Sequence, residues 1–431
     1  MSRCRLALAL VASLPLAVTA FSETTPESCL ARLNADVDAL LQKDQPKLFA
    51  WHLQSLKALA QSEFASLLPR LDKSPNRQMS REKEFVQYVG GIAEGLEKYC
   101  SDPDLYLKEG LRSLVLARSS NIDGTLQYMT VDLPKGWDPD RAYPLFVGLH
   151  GSGPDNPLAY PFFGFGPPSP PKADAPPNPT ADMIRIGPWG RGNRGWRGDA
   201  EEDLWEAIRL LKTFCKLDPE RWYITGHSSG ADGCWAIVQH TPDLWAAAGI
   251  QSGSMLSGEP EWGLIPNQIH VPTHILIGAN DPLPFRLPDS KRAYQILKEA
   301  GDQTELVILP GIGHYPLTEA GINEQAAWMT RFVRTRPDKF SFTVDQPQHP
   351  GVWGIHVPYS WETGPIRAPW PSFTCEIHGQ DVRISTRNIQ KLTIDLGPDG
   401  LRLSGSVRVW VNRRMVLDGP VPLAPLDIKK I

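Results

Sequence analysis

The chain has 431 residues, of which 41% are hydrophobic, and a formal net charge of -4 at pH 7. This length exceeds one usual domain and allows a sizeable core, so we expect two or three domains. Lysine and arginine are scattered along the chain without a basic stripe. That distribution argues against nucleic acid as a partner.

The amino terminus has the pattern of an export signal. Arg3 and Arg5 precede an apolar run over residues 6–18, and residues 18–20 offer small side chains for cleavage. The apolar run is shorter than the roughly 20 residues that a membrane-spanning helix needs. We therefore predict a signal peptide over residues 1–20, a secreted or periplasmic protein, and no stable membrane insertion after cleavage.

Helical periodicity follows the signal. Apolar residues recur at helical spacing over residues 30–40, and further runs cover residues 48–60 and 85–99. These runs predict a helical N-terminal region over residues 21–117, with apolar faces that pack on one another or on the next domain.

The most informative motif lies in the middle of the chain. Residues 226–230 read Gly-His-Ser-Ser-Gly, between a β-branched and aromatic run (221–225) and a helix-compatible stretch (231–239). This strand-turn-helix setting predicts that Ser228 is a nucleophile on a sharp turn. Glycines are required on both sides of such a turn because a neighbouring Cβ would collide with the strand or the helix.

Other polar residues follow predicted strands. The strand at 143–149 runs into His150-Gly-Ser-Gly, the strand at 274–277 runs into Asp281, and the strand at 305–309 runs into His314. Catalytic groups of open α/β sheets lie at the carboxyl ends of strands. The chain order Ser228, Asp281, His314 is that of α/β-hydrolases and differs from the orders in chymotrypsin and subtilisin.

Each of these residues has a role in acyl transfer. A serine hydroxyl needs an adjacent imidazole to remove its proton, and we assign that role to His314. The imidazole needs a carboxylate that fixes its tautomer, and we assign Asp281. Asp289 is the alternative acid, although helix capping explains that residue better.

The tetrahedral oxyanion of such a reaction is held by backbone N–H groups. We assign one donor to Ser229, at the predicted helix start, and the other to the turn at Gly151 and Ser152. The chemistry needs no cofactor, and no cysteine or histidine spacing is typical of a zinc site.

Substrate contacts are predicted in three loops. A long proline-dense insertion over residues 154–181 contains Phe163, an aromatic ring that could stack on a phenolic group or a sugar. Trp196 and Arg197 lie in a Gly-Arg-rich loop, where the arginine either positions substrate or only braces the loop. Tyr315 directly follows the predicted base.

The pattern changes after residue 338. Gly, Pro, Asp and Asn separate short alternating runs without helices, which predicts a β-sandwich of the immunoglobulin type over residues 338–431. Trp353, Trp361 and Trp370 could form a carbohydrate platform, although packing is the more common use of such residues. The runs cover residues 340–344, 352–357, 373–377, 382–386, 392–396 and 407–411.

Residues 120–337 resemble a known family, the secreted α/β-hydrolases grouped with feruloyl esterases, acetylxylan esterases and polyhydroxybutyrate depolymerases and often labelled prolyl-oligopeptidase-like. The family's usual Ser-x-Gly-Gly is Ser-Ser-Gly-Ala-Asp here, but the elbow glycines remain. The matching stretches are LHGSG (149–153), RGWRGDAEEDLWEAI (194–208), LDPERWYITGHSSGADGCW (217–235), DLWAAAGIQSGS (243–254), GANDP (278–282) and GIGH (311–314).

The resemblance implies an α/β fold with an α/β-hydrolase sheet over residues 118–337, and a serine hydrolase that acts through an acyl-enzyme. It also implies carboxylic ester substrates of the feruloyl or acetyl type, carried by a polysaccharide or a polyphenol. Two alternatives remain at this stage. One is a serine peptidase of the prolyl-oligopeptidase type, and the other is a non-catalytic polysaccharide-binding protein.

Overall fold

The predicted signal peptide lies outside the residues that the computed structural model describes. Within the described part of the chain, no helix combines the length and the apolar character that crossing a bilayer requires. Backbone contacts divide the chain into a first unit, residues up to 218 with 225–233, and a second unit, residues 219–224 with 234 onward. The described residues are 25–44, 46–67, 75–101, 114–152, 178–192, 194–255, 259–314, 319–358 and 369–429.

The first unit begins with three helices, α1 (Pro26–Leu41), α2 (Lys47–Leu67) and α3 (Pro75–Ser101). Thr25 caps α1 because its hydroxyl accepts from the Ser28 N–H at 3.2 Å, while the Ser28 hydroxyl accepts from the Thr25 N–H at 3.0 Å. The apolar face of α1 is buried, and α1 packs on both α2 and α3. The helical periodicity of the sequence therefore reflects contacts among the helices themselves.

Four strands and one helix complete most of this unit. Strand β2 runs antiparallel to β1 and to β4, while β3 and β4 are parallel. Because β1 begins at Leu114, the sheet starts ahead of residue 118, where we predicted the hydrolase domain to begin. The elements are β1 (Leu114–Ser119), β2 (Leu126–Asp132), β3 (Ala142–Leu149), β4 (Ile184–Pro188) and α4 (Asp199–Leu211).

Helix α2 completes the hydrogen bonding of strand β1, which pairs with β2 on one side only. The Val115 N–H donates to Nδ1 of His52 at 2.8 Å, and the Ala117 N–H donates to the Ser55 hydroxyl at 2.8 Å. The indole N–H of Trp51 donates to the Ala117 carbonyl at 2.9 Å. Side chains of one helix thus satisfy backbone groups that an edge strand leaves unpaired.

Strand β5 (Lys216–His227) and helix α5 (Ser229–His240) each contribute to both units. In the second unit, strands β6, β7 and β8 pair in parallel, and every residue of β6 and β7 is buried. Strands β1 to β8 follow the order β1-β2-β4-β3-β5-β6-β7-β8, so the sheet is mixed and of the α/β class. The remaining elements are β6 (Ala247–Gln251), α6 (Glu259–Gln268), β7 (Thr273–Gly278), α7 (Arg286–Glu299), β8 (Thr304–Leu309) and α8 (Glu319–Met329).

The second unit ends in two antiparallel-rich sheets that share one core. One sheet has the order β16-β15-β13-β12-β9 and the other has the order β10-β11-β14-β17. Phe373 and Ile384 of the first sheet lie in the same buried cluster as Ile355 and Leu392 of the second. The strands are β9 (Lys339–Thr343), β10 (Gly351–Val352), β11 (Ile355–His356), β12 (Ser372–His378), β13 (Asp381–Arg387), β14 (Lys391–Ile394), β15 (Ser406–Val411), β16 (Arg414–Pro420) and β17 (Leu426–Lys429).

The first of these two sheets is hydrogen-bonded to a preceding helix. Asn267 of α6 donates to the Thr343 carbonyl at 3.0 Å, and the Thr343 N–H donates to Asn267 at 2.8 Å. This paired bond joins α6 to the end of β9. The contact-based division therefore keeps the chain beyond residue 338 in the same unit as β6, β7 and β8.

The run at 352–357, predicted as one strand, is a hairpin. Trp353 and Gly354 have φ values of 52° and 77° and turn the chain between β10 and β11. Trp353 is only 8% exposed, and its backbone N–H donates to the Asp243 carboxylate at 2.9 Å. The structure therefore removes Trp353 from the suggested carbohydrate platform, while Trp361 lies outside the described residues.

The buried His52 makes the α2 contact sensitive to acid. Burial lowers the pKa of His52 to about 4, whereas an unfolded histidine titrates near 6.5. The unfolded chain binds the extra proton first as the pH falls from 6.5 to 4, so stability is lost over this window, by up to ~3 kcal/mol. We expect the urea midpoint to fall over this range in the parent protein and to fall less in His52→Gln.

The control for this measurement is His378→Asn, which changes an exposed histidine of β12. This variant should keep the pH dependence of the parent. Equal slopes for the parent and His52→Gln between pH 7 and 4.5 would show that His52 does not carry the effect.

Candidate active site

Ser228 lies at a sharp turn between β5 and α5. Its φ of 56° is in the left-handed region, which few residues other than glycine adopt and which costs of order 1–3 kcal/mol. A Cβ added at Gly226 would overlap the backbone of Gly230, and a Cβ added at Gly230 would overlap the Leu149 carbonyl. Both glycines are therefore required because the backbones of the strand, the helix and the loop after β3 touch.

The loop after β3 approaches the start of α5. The Ser152 hydroxyl donates to the Ser229 hydroxyl at 3.0 Å, so the residues predicted to donate to an oxyanion lie together. Ser229 is the first residue of α5, and the N–H groups of a first helical turn have no partner within the helix. Backbone donors at this position are suited to a developing negative charge on oxygen.

His150 and Trp196 hold this loop in place. The Trp196 indole N–H donates to the His150 carbonyl at 3.0 Å, and the two rings meet edge to face with centroids 4.9 Å apart. His150 Nε2 lies 2.8 Å from the Trp189 carbonyl and Nδ1 lies 2.9 Å from the Gly151 carbonyl. Burial lowers the pKa of His150, and the Trp189 and Gly151 carbonyls oppose that shift.

The structure places Trp196 inside the fold, although we predicted a contact with substrate. The side chain is 1% exposed and has a φ of 60°. A Cβ added at Gly190 would lie 2.6 Å from its ring, and one added at Gly233 would overlap its Cβ. Trp196 therefore positions the loop after β3 and offers no surface to a ligand.

Arg197 and the two remaining predicted contacts are placed differently. Arg197 Nη1 donates to the Gly195 carbonyl at 3.0 Å, and Nη2 lies 3.4 Å from the Asp232 carbonyl. These bonds fit the second of its two predicted roles, in which Arg197 braces the loop and does not position substrate. Phe163 and Tyr315 lie outside the described residues.

A buried ionic network that the sequence did not reveal supports the Trp196 loop. The Asp203 carboxylate accepts from the Gly190 N–H at 2.7 Å and binds the Arg118 guanidinium. Arg118 also lies 3.4 Å from Glu206. Burial raises the pKa of Asp203, and the Arg118 charge and the Gly190 N–H oppose that shift. In the sequence Asp203 is one of several acids of an amphipathic helix, and the structure buries it together with Glu201 and Glu206.

The second unit contains the acid and the base as a bonded pair. His314 Nδ1 lies 2.7 Å from Oδ2 of Asp281, whose side chain has no exposed surface, whereas His314 is 18% exposed. The other Asp281 oxygen accepts from the Leu283 N–H at 3.0 Å. A carboxylate in this position holds the proton on Nδ1 and makes Nε2 the basic nitrogen.

Backbone contacts fix the two loops that carry this pair. The Asn280 N–H donates to the Ile312 carbonyl at 2.8 Å, and a Cβ added at Gly278 would overlap the carbonyls of Ile312 and Gly313. Asp289, the alternative acid, lies in the first turn of α7, where Arg292 and Arg286 oppose a burial-induced rise of its pKa. The structure pairs Asp281 with the histidine.

No protein-family model and no curated protein matches the chain, but solved structures resemble about half of it. A thermostable esterase is 20% identical with a TM-score of 0.38, over 51% of this chain and 59% of the esterase. A ferulic acid esterase is 18% identical with a TM-score of 0.38, over 51% and 98% of the two chains. An S-formylglutathione hydrolase of Staphylococcus aureus is 16% identical with a TM-score of 0.39, over 51% and 96%.

The close approach at Gly230 gives a testable expectation for stability. Gly230→Ala should destabilise the protein by more than about 2 kcal/mol, because the new methyl group meets rigid backbone and the loop after β3 must move. The matched change is Gly91→Ala in α3, where an added Cβ has no neighbour within 4 Å. That variant should gain up to about 1 kcal/mol from helix propensity. Urea unfolding of both proteins checks the opposite signs, and equal midpoints would contradict them.

Proposed function

We propose that this chain is a serine hydrolase in which Ser228, His314 and Asp281 act as one catalytic triad. The observation that carries the proposal is the left-handed backbone of Ser228, held between two glycines that tolerate no Cβ. Strained backbone that its surroundings impose on a polar residue is concentrated at functional sites. The 2.7 Å bond between His314 and Asp281 supports the proposal, since it prepares the base that a serine nucleophile needs.

The proposed reaction has two halves. His314 Nε2 takes the proton of the Ser228 hydroxyl as Oγ attacks the ester carbonyl, and the carbonyl π electrons move to oxygen. N–H groups of Ser229 and of the turn at Gly151 and Ser152 stabilise this oxyanion, and each donor is typically worth about 3 kcal/mol. The tetrahedral adduct then expels the alcohol, which takes the proton from the imidazolium. Water repeats the sequence on the acyl-enzyme and releases the acid.

Asp281 acts on the histidine in this scheme and does not touch substrate. Its buried carboxylate keeps the imidazole in one tautomer before proton transfer and stabilises the imidazolium after it. A water molecule in its place would reorient during the reaction, whereas this carboxylate is fixed by the Leu283 N–H. The energetic advantage of such preorganised charge is greatest where water is excluded.

We further propose that the substrates are carboxylic esters of the feruloyl or acetyl type on a polysaccharide or polyphenol, and that the enzyme is exported. Support comes from the motif resemblance and from the amino-terminal pattern of residues 1–20. The turn after Asp281 adds an apolar surface, because Leu283 and Phe285 are 37% and 42% exposed and are interspersed with prolines. Exposed aromatic side chains suit phenolic or sugar rings.

The first test compares ester and amide hydrolysis by purified residues 21–431. Methyl ferulate and acetylated xylan should be turned over, and a proline-containing peptide amide should not. Ser228→Ala should abolish ester turnover, and Asp281→Asn should lower kcat by roughly 10³–10⁴ because the histidine tautomer is lost. Asp289→Asn is the matched control and should retain the parent rate.

The alternative functions give different results in the same assay. Turnover of the amide alone would identify a peptidase. If the parent protein turns over none of these substrates, the result favours the alternative of a non-catalytic polysaccharide-binding protein. Loss of activity in Asp289→Asn with retention in Asp281→Asn would exchange the roles of the two acids.

A second test concerns Trp196. Trp196→Phe keeps a buried ring but removes the N–H that holds the His150 carbonyl. If the loop after β3 stabilises the oxyanion, kcat should fall roughly 10- to 100-fold with KM nearly unchanged, because the oxyanion exists only near the transition state. Trp51→Phe is the control, since it also removes one indole N–H bond to a backbone carbonyl. It should reduce stability and leave kcat unchanged, and equal kcat values for the two variants would contradict the role of Trp196.

A further inference from the structure

The outer face of the five-stranded sheet has one unusual residue. Along β9, β12, β13 and β15, buried apolar residues alternate with half-buried or exposed ones. The outward positions of these described strands are polar, with Trp410 of β15 as the exception. It is the only Phe, Tyr or Trp at these outward positions, which is unexpected because indole rings are normally buried.

Two arginines lie over the Trp410 ring. The guanidinium carbon of Arg383 is 5.1 Å from the ring centroid, and that of Arg408 is 5.6 Å away. Arg408 is held in place by Asp381, with Nη2 2.6 Å from the carboxylate. Arg383 is directly opposite Trp410 in the strand register and is exposed.

The charge of this sheet opposes that of the whole chain. Its outward positions carry four lysines and arginines (Lys339, Arg383, Arg387 and Arg408) against three acids (Glu376, Asp381 and Asp418), although the chain as a whole has a net charge of -4. Two of the acids are already paired, Asp381 with Arg408 and Glu376 with Lys339. Among the described residues, no salt bridge engages Arg383 or Arg387, although Glu376 lies opposite Arg383 in the register, and Lys339 and, more weakly, Arg383 lower the pKa of that carboxyl.

Hydroxyl groups form a second row beside the Trp410 row. Ser341, Thr374 and Ser385 are neighbours in the register of β9, β12 and β13, and the Ser341 and Thr374 hydroxyls lie 2.8 Å apart. The row of Arg383 and Trp410 also contains Glu376 on one side and Met415 on the other, and adjacent strands are about 4.8 Å apart. The face is mostly polar, with one aromatic ring, Trp410, and the exposed Met415 directly opposite it in the register.

We propose that this outer face binds a polysaccharide that carries uronic acid carboxylates. The Trp410 indole stacks on the apolar face of a sugar ring, and Arg383 donates to a carboxylate, a geometry for which the planar guanidinium is suited. The hydroxyl row offers donors and acceptors to sugar hydroxyls. A site of this kind goes beyond the proposed hydrolysis because it would hold the protein on a polymer without taking part in bond cleavage.

A carboxylated sugar polymer fits this face better than a nucleic acid. Nucleic-acid binding depends on many phosphate contacts, whereas among the described residues of this face only Arg383 and Arg387 are arginines without a salt bridge, and one aromatic ring is present. An acidic sugar chain requires fewer charges, and its ring faces match the indole.

The experiment uses residues 21–431 with Ser228→Ala, so that no ester hydrolysis alters the ligand. Affinity electrophoresis in gels that contain polygalacturonate, glucuronoxylan or neutral arabinoxylan measures binding. We expect retardation by the two acidic polymers, a retardation that decreases with added salt. Trp410→Ala and Arg383→Gln should each weaken binding by roughly 10-fold.

Arg292→Gln is the matched control. Arg292 is an exposed arginine whose guanidinium carbon lies 4.0 Å from the Trp262 ring centroid on another part of the chain, so this variant makes the same charge change at a second Arg–Trp pair. It should bind like the parent. Trp410→Phe, which keeps an aromatic ring, should retain more binding than Trp410→Ala, and a common urea midpoint for all variants would show that each is folded.

Three outcomes would overturn the proposal. They are equal binding to neutral arabinoxylan, binding that Trp410→Ala leaves unchanged, and full competition by polyphosphate or DNA, which would show unspecific attraction of polyanions. Hydrolysis of a small soluble ester by Trp410→Ala with Ser228 intact should equal that of the parent. Failure of the polymer site and failure of the proposed hydrolysis are therefore read from different measurements.

Discussion

Contact between the backbones of α5 and of the loop after β3 is the constraint on which the proposed nucleophile site depends. The carbonyls of Leu149 and His150 occupy the place where Gly230 would carry a side chain. This approach brings Ser229 beside Ser152, and it leaves the His150 carbonyl where the Trp196 indole can bond to it. Trp196 in turn requires Gly233 and Gly190, and Gly190 is held by Asp203. A side chain added at Gly230, Gly233 or Gly190 would be felt by its neighbours, because a Cβ at each would lie closer than 3.0 Å to another atom.

In the second unit, the loops that carry Asp281 and His314 also depend on a close backbone approach at a glycine. Gly278 allows the turn before Asp281 to touch the loop before His314, and main-chain hydrogen bonds hold the two loops together. The histidine ring therefore has its orientation set before any ligand arrives. Such preorganisation lowers the stability of the folded protein, because polar groups are buried and the backbone is strained. In return, the catalytic groups need to reorganise less during a reaction.

The three residues proposed as the triad are those that follow a predicted strand directly. Ser228, Asp281 and His314 each come after a recognisable apolar run, so local pattern sufficed to select them. The burial of Trp196 could not be read in this way, because it depends on glycines of two other segments. The hairpin at Trp353 was missed for a different reason, since the residues on either side continue an alternating pattern and only the left-handed backbone of Trp353 and Gly354 interrupts it.

The covering of β1 by α2 has a consequence for what the sheet exposes when the amino-terminal helices are removed. A protein shortened to begin after Leu67 would retain the proposed triad, yet the N–H groups of Val115 and Ala117 would lose His52 and Ser55. An uncovered strand edge is a template for a strand of another molecule. Shortened molecules would therefore associate edge to edge and aggregate, so the amino-terminal helices protect the sheet against self-association whether or not they influence catalysis.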